Sequence, residues 1–277
     1  MATDLKTATL AVGVDLDAGS TIVQGLAASG HALVVEDGGT GEHCDPPPSA
    51  GIARNIVKNG GRAVAAAHDL TSATGAAEAV ALTAETFGSL DSVVLCGGLA
   101  RERAFLRVDD GPLRSLIDHH LATVFLTFQA ASRWMTDHRR PGRLLCVTAT
   151  AGSSSGDFGR VHLAAATGGV YAAVRAMAHE LRPKQITVNS IALPLRSPKA
   201  TDGEWLAGGS LVHSPADLCP LVEFLLSENA AEITGQVIAL EGQKVSVIRN
   251  LQSAGALPEE ETWTTAEIGR RWREISR

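Results

Sequence analysis

A doubly wound α/β fold, a parallel sheet of about seven strands wrapped on both faces by helices, is predicted for this 277-residue chain by three observations. Short apolar runs alternate with longer amphipathic stretches from Thr9 to about Gly242 without a break. The composition is aliphatic, 45% hydrophobic but only 4% aromatic, as a buried parallel sheet packed by close helices requires. The first apolar run ends in a glycine-bearing turn that opens a helix, which is how a βαβ unit begins. The arrangement is Rossmann-type, a single domain over residues 1–242, with residues 243–277 as a C-terminal extension packing on the body or on a neighbouring subunit.

Each element follows from its local pattern. Thr9–Val14 reads as a strand, Asp15–Ser20 as a turn, Thr21–Ser29 as a helix and Ala32–Glu36 as the second strand. The Gly- and Pro-rich stretch Gly38–Pro48 is a loop; Ala50–Asn59 returns to helical spacing, and Gly60-Gly61 stops it before a strand at Ala63–Ala67. Helix Ala73–Phe87 leads into strand Ser92–Cys96, helix Pro112–Met135 into strand Arg143–Thr148, and helix Arg160–Leu181 into strand Thr187–Ala192. A helix at Ala216–Ser227 precedes the strand Gln236–Leu240. Beyond it lie a short strand Val245–Ile248 and a charged helix Thr265–Ile275, whose neighbourhood carries Trp263 and Trp272 as anchors.

Composition narrows the function. The net charge is −6, and the basic residues form no stripe that would neutralise a phosphate backbone, so nucleic acid is not an expected partner. No apolar run approaches the ~18 residues of a membrane span, and the first residues lack a basic patch followed by an apolar stretch, so a soluble, cytoplasmic protein is expected. Cys44, Cys96, Cys146 and Cys219 are isolated and read as small buried hydrophobes. Asp118-His119-His120 and His43-Cys44-Asp45 contain ligand types, but adjacent helical residues diverge by ~100° and the second triplet has no matching half, so no metal site is expected.

Several phrases carry a resemblance: Leu26-Ala27-Ala28-Ser29-Gly30, Phe87-Gly88-Ser89-Leu90-Asp91, Val188-Asn189-Ser190-Ile191-Ala192 and Ile233-Thr234-Gly235-Gln236. In their order and placement the chain resembles the short-chain dehydrogenase/reductase family. Gly98–Phe105, Gly156-Asp157-Phe158-Gly159 and the long tail are similar, more narrowly, to the D-3-hydroxyacyl-CoA dehydrogenase module of type 2 peroxisomal multifunctional enzymes.

The resemblance implies a tyrosine that exchanges a proton with the substrate oxygen and, four residues on, a lysine that lowers the phenol's pKa from its usual ~10. Alignment on Phe158-Gly159 and Ala178-His179-Glu180-Leu181 puts Leu163 and Thr167 there instead. The carbonyl-polarising serine falls at Ala149, with Thr148 and Thr150 beside it, and the relay asparagine falls at His120. No catalytic residue is therefore assigned. Tyr171, the single tyrosine, stands four before Arg175, but it is over two helical turns past Leu163 and rotated ~80° from its stripe, so it reads as a core or interface residue. His162 is the rival acid/base, since imidazole has an unperturbed pKa near ~6.5, but the sequence shows no activating partner for it.

The resemblance also implies a dinucleotide cofactor, with Gly13, Gly19, Asp37, Asp69 and Gly98 at its binding positions. The turn Gly13-Val14-Asp15-Leu16-Asp17-Ala18-Gly19 replaces the middle glycine with Asp17 and adds Asp15, placing carboxylates where a diphosphate would lie. Asp17 alternatively caps the following helix. Asp37 and Asp69 keep the adenosine side and favour NAD over NADP, whereas Cys96-Gly97-Gly98 and Leu193-Pro194 alter the nicotinamide side. NAD binding is expected to be weak or absent. The expected function is a non-catalytic subunit, assembling with itself or with an active dehydrogenase paralogue acting on acyl thioesters. The alternative is an NAD-dependent 3-hydroxyacyl-thioester dehydrogenase using His162.

Overall fold

In the computed structural model the described residues are 7–14, 17–37, 47–97, 104–152, 160–196, 210–211, 214–249 and 262–275. The strands are β1 (Ala8–Val12), β2 (Ala32–Glu36), β3 (Arg62–Ala66), β4 (Ser92–Cys96), β5 (Gly142–Ala149), β6 (Ile186–Leu193), β7 (Leu195–Arg196), β8 (Ser210–Leu211), β9 (Val237–Glu241) and β10 (Lys244–Val247). The helices are α1 (Asp17–Ala28), α2 (Pro48–Lys58), α3 (Ala73–Phe87), α4 (Asp110–Ile117), α5 (Thr123–Asp137), α6 (Val161–Leu181), α7 (Pro215–Leu226) and α8 (Thr265–Ile275). Eight strands form one sheet in the order β10-β9-β6-β5-β4-β1-β2-β3, and β7 and β8 pair as a separate ribbon. Seven strands of the large sheet run parallel, and the eighth, β10, returns antiparallel along β9 with Val245 opposite Leu240. The doubly wound sheet read from the sequence is thus present, with one antiparallel edge strand added.

Local chemistry sets the boundaries. Ser72 caps α3 by accepting the Gly75 amide at 3.0 Å, and Gly88 ends it in the left-handed region at φ 78°, giving its amide to the Ala84 carbonyl. α1 starts at Asp17, inside the stretch read as a turn, with the Asp17 carboxylate in its first turn where the helix dipole favours negative charge. The long helix read as Pro112–Met135 is broken by a π-helical turn, Asp118–Ala122, between α4 and α5.

Alternation along the strands divides the core between the two faces. Ala11, Val35, Val94, Leu145, Val147 and Ile191 point to one face with Ile22 and Leu26 of α1 and Val222 of α7. Leu10, Val34, Val93, Leu144, Cys146 and Val188 point to the other, with Val80 of α3, Phe128 of α5 and Val174 of α6. Phe128, Leu10 and Leu144 are fully buried, and truncating such a side chain to alanine costs about 2–5 kcal/mol. This rigid platform positions the loops at the carboxyl ends of the strands.

Candidate functional site

The strand order reverses between β1 and β4, where the chain leaves β1 toward β2 on one side and β4 toward β5 on the other. Such a switch point opens a crevice at the carboxyl edge of a parallel sheet. Gly13 leaves β1 there at φ 78°, its amide bonded to the Glu36 carbonyl at 3.0 Å. A Cβ on Gly13 would stand 2.1 Å from the Cys96 carbonyl oxygen, and one on Gly19 would stand 2.0 Å from the Gly13 carbonyl oxygen. The turn, α1 and β4 are therefore locked together through bare backbone, and Asp17 stands exposed at the start of α1. Asp15 and Gly98 lie outside the described residues.

At the β2 end of the crevice, both oxygens of Asp37 are engaged by α2. Oδ1 accepts the Ser49 amide at 2.9 Å and Oδ2 the Ser49 hydroxyl at 2.8 Å. Asp69 is exposed, and its Oδ1 accepts the Thr71 amide and hydroxyl at 3.0 and 2.6 Å. Between the two lies a pair that sequence reasoning missed. Glu36 is fully buried, with Oε1 2.5 Å from His68 Nδ1 and Oε2 accepting the His68 amide at 3.0 Å. Burial pushes the Glu36 carboxyl above its usual range, and the His68 hydrogen bonds oppose that shift. A carboxylate closing the apolar run Ala32–Glu36 was the available signal, because a charge ending a buried strand needs a partner.

At the β5 end, Leu163 and Thr167 share a face of α6 and are buried, at 1% and 0% exposure. The Thr167 hydroxyl donates to the Leu163 carbonyl at 2.9 Å, a bond internal to the helix. Ala149 ends β5, and its carbonyl accepts the Tyr171 hydroxyl at 2.5 Å. Tyr171 is 3% exposed and packs with Ala192 and Val237, so burial raises its pKa although Arg175 pulls the other way. A tyrosine held in this way is a core residue, as its register on the helix implies.

The structure brings His162, remote in sequence, into electrostatic range of the adjacent His119-His120. His120 sits in the π-helical turn at 2% exposure, and a Cβ on Gly97 would lie 3.9 Å from its Cδ2, so the ring stands over the end of β4. Burial, with a smaller contribution from like-charge repulsion by His119 and His162, pushes its pKa down to about 4. His162 itself is 4% exposed. Nδ1 of His120 and Oγ1 of the buried Thr148 have no hydrogen-bond partner among the described residues. Sequence spacing placed His120 at the expected relay position and His162 next to the expected tyrosine position, and His119 adjoins His120 within the π turn. Among the described residues, no three His, Cys, Asp or Glu side chains converge as metal ligands. No described helix is long and apolar enough to cross a membrane.

Comparison with known proteins places this geometry. A family model described as enoyl-(acyl carrier protein) reductase matches residues 18–242. A 3-oxoacyl-[acyl-carrier-protein] reductase of Aggregatibacter actinomycetemcomitans is 28% identical over 243 residues, covering 84% of this chain and 97% of its own. The corresponding Synechocystis reductase is 26% identical over 245 residues, covering 85% and 96%. Among solved structures, a short chain dehydrogenase from Mycobacterium avium superposes with a TM-score of 0.84 at 25% identity, covering 100% of this chain and 96% of that one. An acetoin dehydrogenase from Enterobacter cloacae, at TM-score 0.71 and 23% identity, shares the fold.

Proposed function

Because the chain belongs to the short-chain dehydrogenase/reductase family, we propose that it is a catalytically degenerate member, a non-catalytic subunit that assembles with an active paralogue acting on acyl-carrier or acyl-CoA thioesters. The substrate class follows the names of its acyl-carrier-protein reductase relatives; the hydroxyacyl-CoA dehydrogenase module remains the narrower likeness proposed from sequence phrases. One observation carries the reading: Leu163 and Thr167 occupy the proton-transfer spacing, buried, with the one hydroxyl returned to the helix backbone. A side chain without a titratable group moves no proton to a substrate oxygen.

The nucleotide crevice supports the same reading. An NAD molecule fits it poorly, because Asp17 sets a carboxylate at the helix end where the diphosphate would lie and Asp37 already accepts two bonds from Ser49. Gly13, Gly19 and Asp69 keep the backbone shape and the adenosine edge of the site. Binding of NAD in preference to NADP, if any, is weak.

The nearness of His162 to the buried His120, whose pKa its charge lowers, favours a second reading, an oxidoreductase in which His162 replaces the tyrosine as acid/base. Calorimetry with NADH and native mass spectrometry with a paralogous dehydrogenase separate the two. The subunit reading expects no measurable NADH binding to the chain alone and a mixed oligomer whose turnover depends on the partner. Turnover of a 3-hydroxyacyl thioester by the chain alone, abolished in His162→Ala, overturns it.

A further inference from the structure

A second cleft lies at the edge of the sheet opposite Gly13 and His120. α6 begins beside His120 and runs 21 residues, so at ~1.5 Å per residue its end is ~30 Å from the crevice. There, between the last turns of α6, the entry to β9 and the exit from β10, is a cleft of about 630 Å³. That volume is within the range of small-molecule sites.

The charged lining of this cleft has one sign. Arg175 and His179 follow one another along a single face of α6, Arg182 continues that line just past its last residue, and Arg249 joins them from beyond the end of β10. Among the described residues no carboxylate lines the cleft, although Glu232 approaches Arg182 from the rim at 3.6 Å with both side chains largely exposed. The helix dipole accounts for cations at the end of α6. It does not account for Arg249, which a separate strand delivers to the same place in a chain of net charge −6. Delivery is built in: Arg175 Nη2 donates to the Ile248 carbonyl at 3.1 Å and fixes the strand exit beside the helix. The Thr234 hydroxyl oxygen, at the cleft, accepts the Val188 amide at 3.0 Å, and its O–H stays available as a donor.

We propose that this cleft binds a phosphate-bearing small molecule of about nucleotide size, held by the guanidinium groups of Arg175, Arg182 and Arg249. Planar guanidinium forks match phosphate oxygens in pairs, and grouped cations at a helix end are relieved by a dianion.

Calorimetric titration of the full chain with inorganic pyrophosphate, ADP and adenosine tests this. Pyrophosphate and ADP are expected to bind and adenosine not. Binding should weaken at least tenfold in Arg249→Glu and in Arg182→Ala, and should stay unchanged in Lys58→Ala, which removes an exposed cation at the end of α2. ADP binding tighter than pyrophosphate would identify a nucleotide, and equal binding an inorganic anion. Absence of binding by both anions, adenosine binding as well as ADP, or wild-type affinity in Arg249→Glu with its circular dichroism intact overturns the proposal. None of these outcomes depends on whether the crevice is catalytic.

Discussion

At the residue scale, the buried imidazole of His120 makes the sharpest claim. Its folded pKa of about 4 lies below the unfolded value of 6.5, so between these values the unfolded chain binds the extra proton. Stability is therefore full above pH 6.5 and declines as the pH falls toward 4, by an amount on the order of 3 kcal/mol. Urea midpoints between pH 7.5 and 4.5 should show this slope, and His120→Asn should flatten it. Tyr171 gives an independent check. Tyr171→Phe removes the bond to the Ala149 carbonyl and should lower unfolding free energy by about 1–2 kcal/mol, with the turnover of a mixed oligomer unchanged. The tyrosine's structural place was readable from its helical register. The Glu36–His68 pair was not, because its members are 32 residues apart in sequence and meet only through the pairing of β2 with β3.

At the element scale, what periodicity reveals and what it hides can both be seen. Helix Ala73–Phe87 was legible to the residue because Ser72 and Gly88 mark its ends chemically. The π-helical turn Asp118–Ala122 was not, since one extra residue in a turn leaves the apolar spacing on either side intact. The early start of α1 was also hidden, because Asp17 satisfies both turn and helix-terminus patterns. The Asp37–Ser49 bonds make a prediction for α2, whose start at Pro48 has no side-chain cap of its own. Asp37→Ala should destabilise the protein by about 1 kcal/mol in thermal or urea melts, measured without any nucleotide. An unchanged melt would return Asp37 to a purely ligand-binding role.

At the scale of the whole molecule, the parallel, doubly wound character of the sheet was implicit in the unbroken alternation of strands and helices, whereas the strand order, the antiparallel return of β10 and the β7–β8 ribbon needed the structure. The candidate site was legible as a set of positions but not as an environment, since burial of Leu163 and Thr167 depends on packing from several elements. The combined substitution Leu163→Tyr with Thr167→Lys should therefore fail to create NADH-dependent turnover, and the buried ammonium should lower the melting temperature. The interlock of Gly13, Gly19 and the Cys96 carbonyl has a consequence for reading other sequences. Those glycines act here as mechanical joints, so selection for folding alone is enough to keep them whether or not a nucleotide binds. A fingerprint search keyed to glycine spacing detects how the first strand is clamped to its neighbours; the residue between the glycines, Asp17 in this chain, is the one that speaks about cargo.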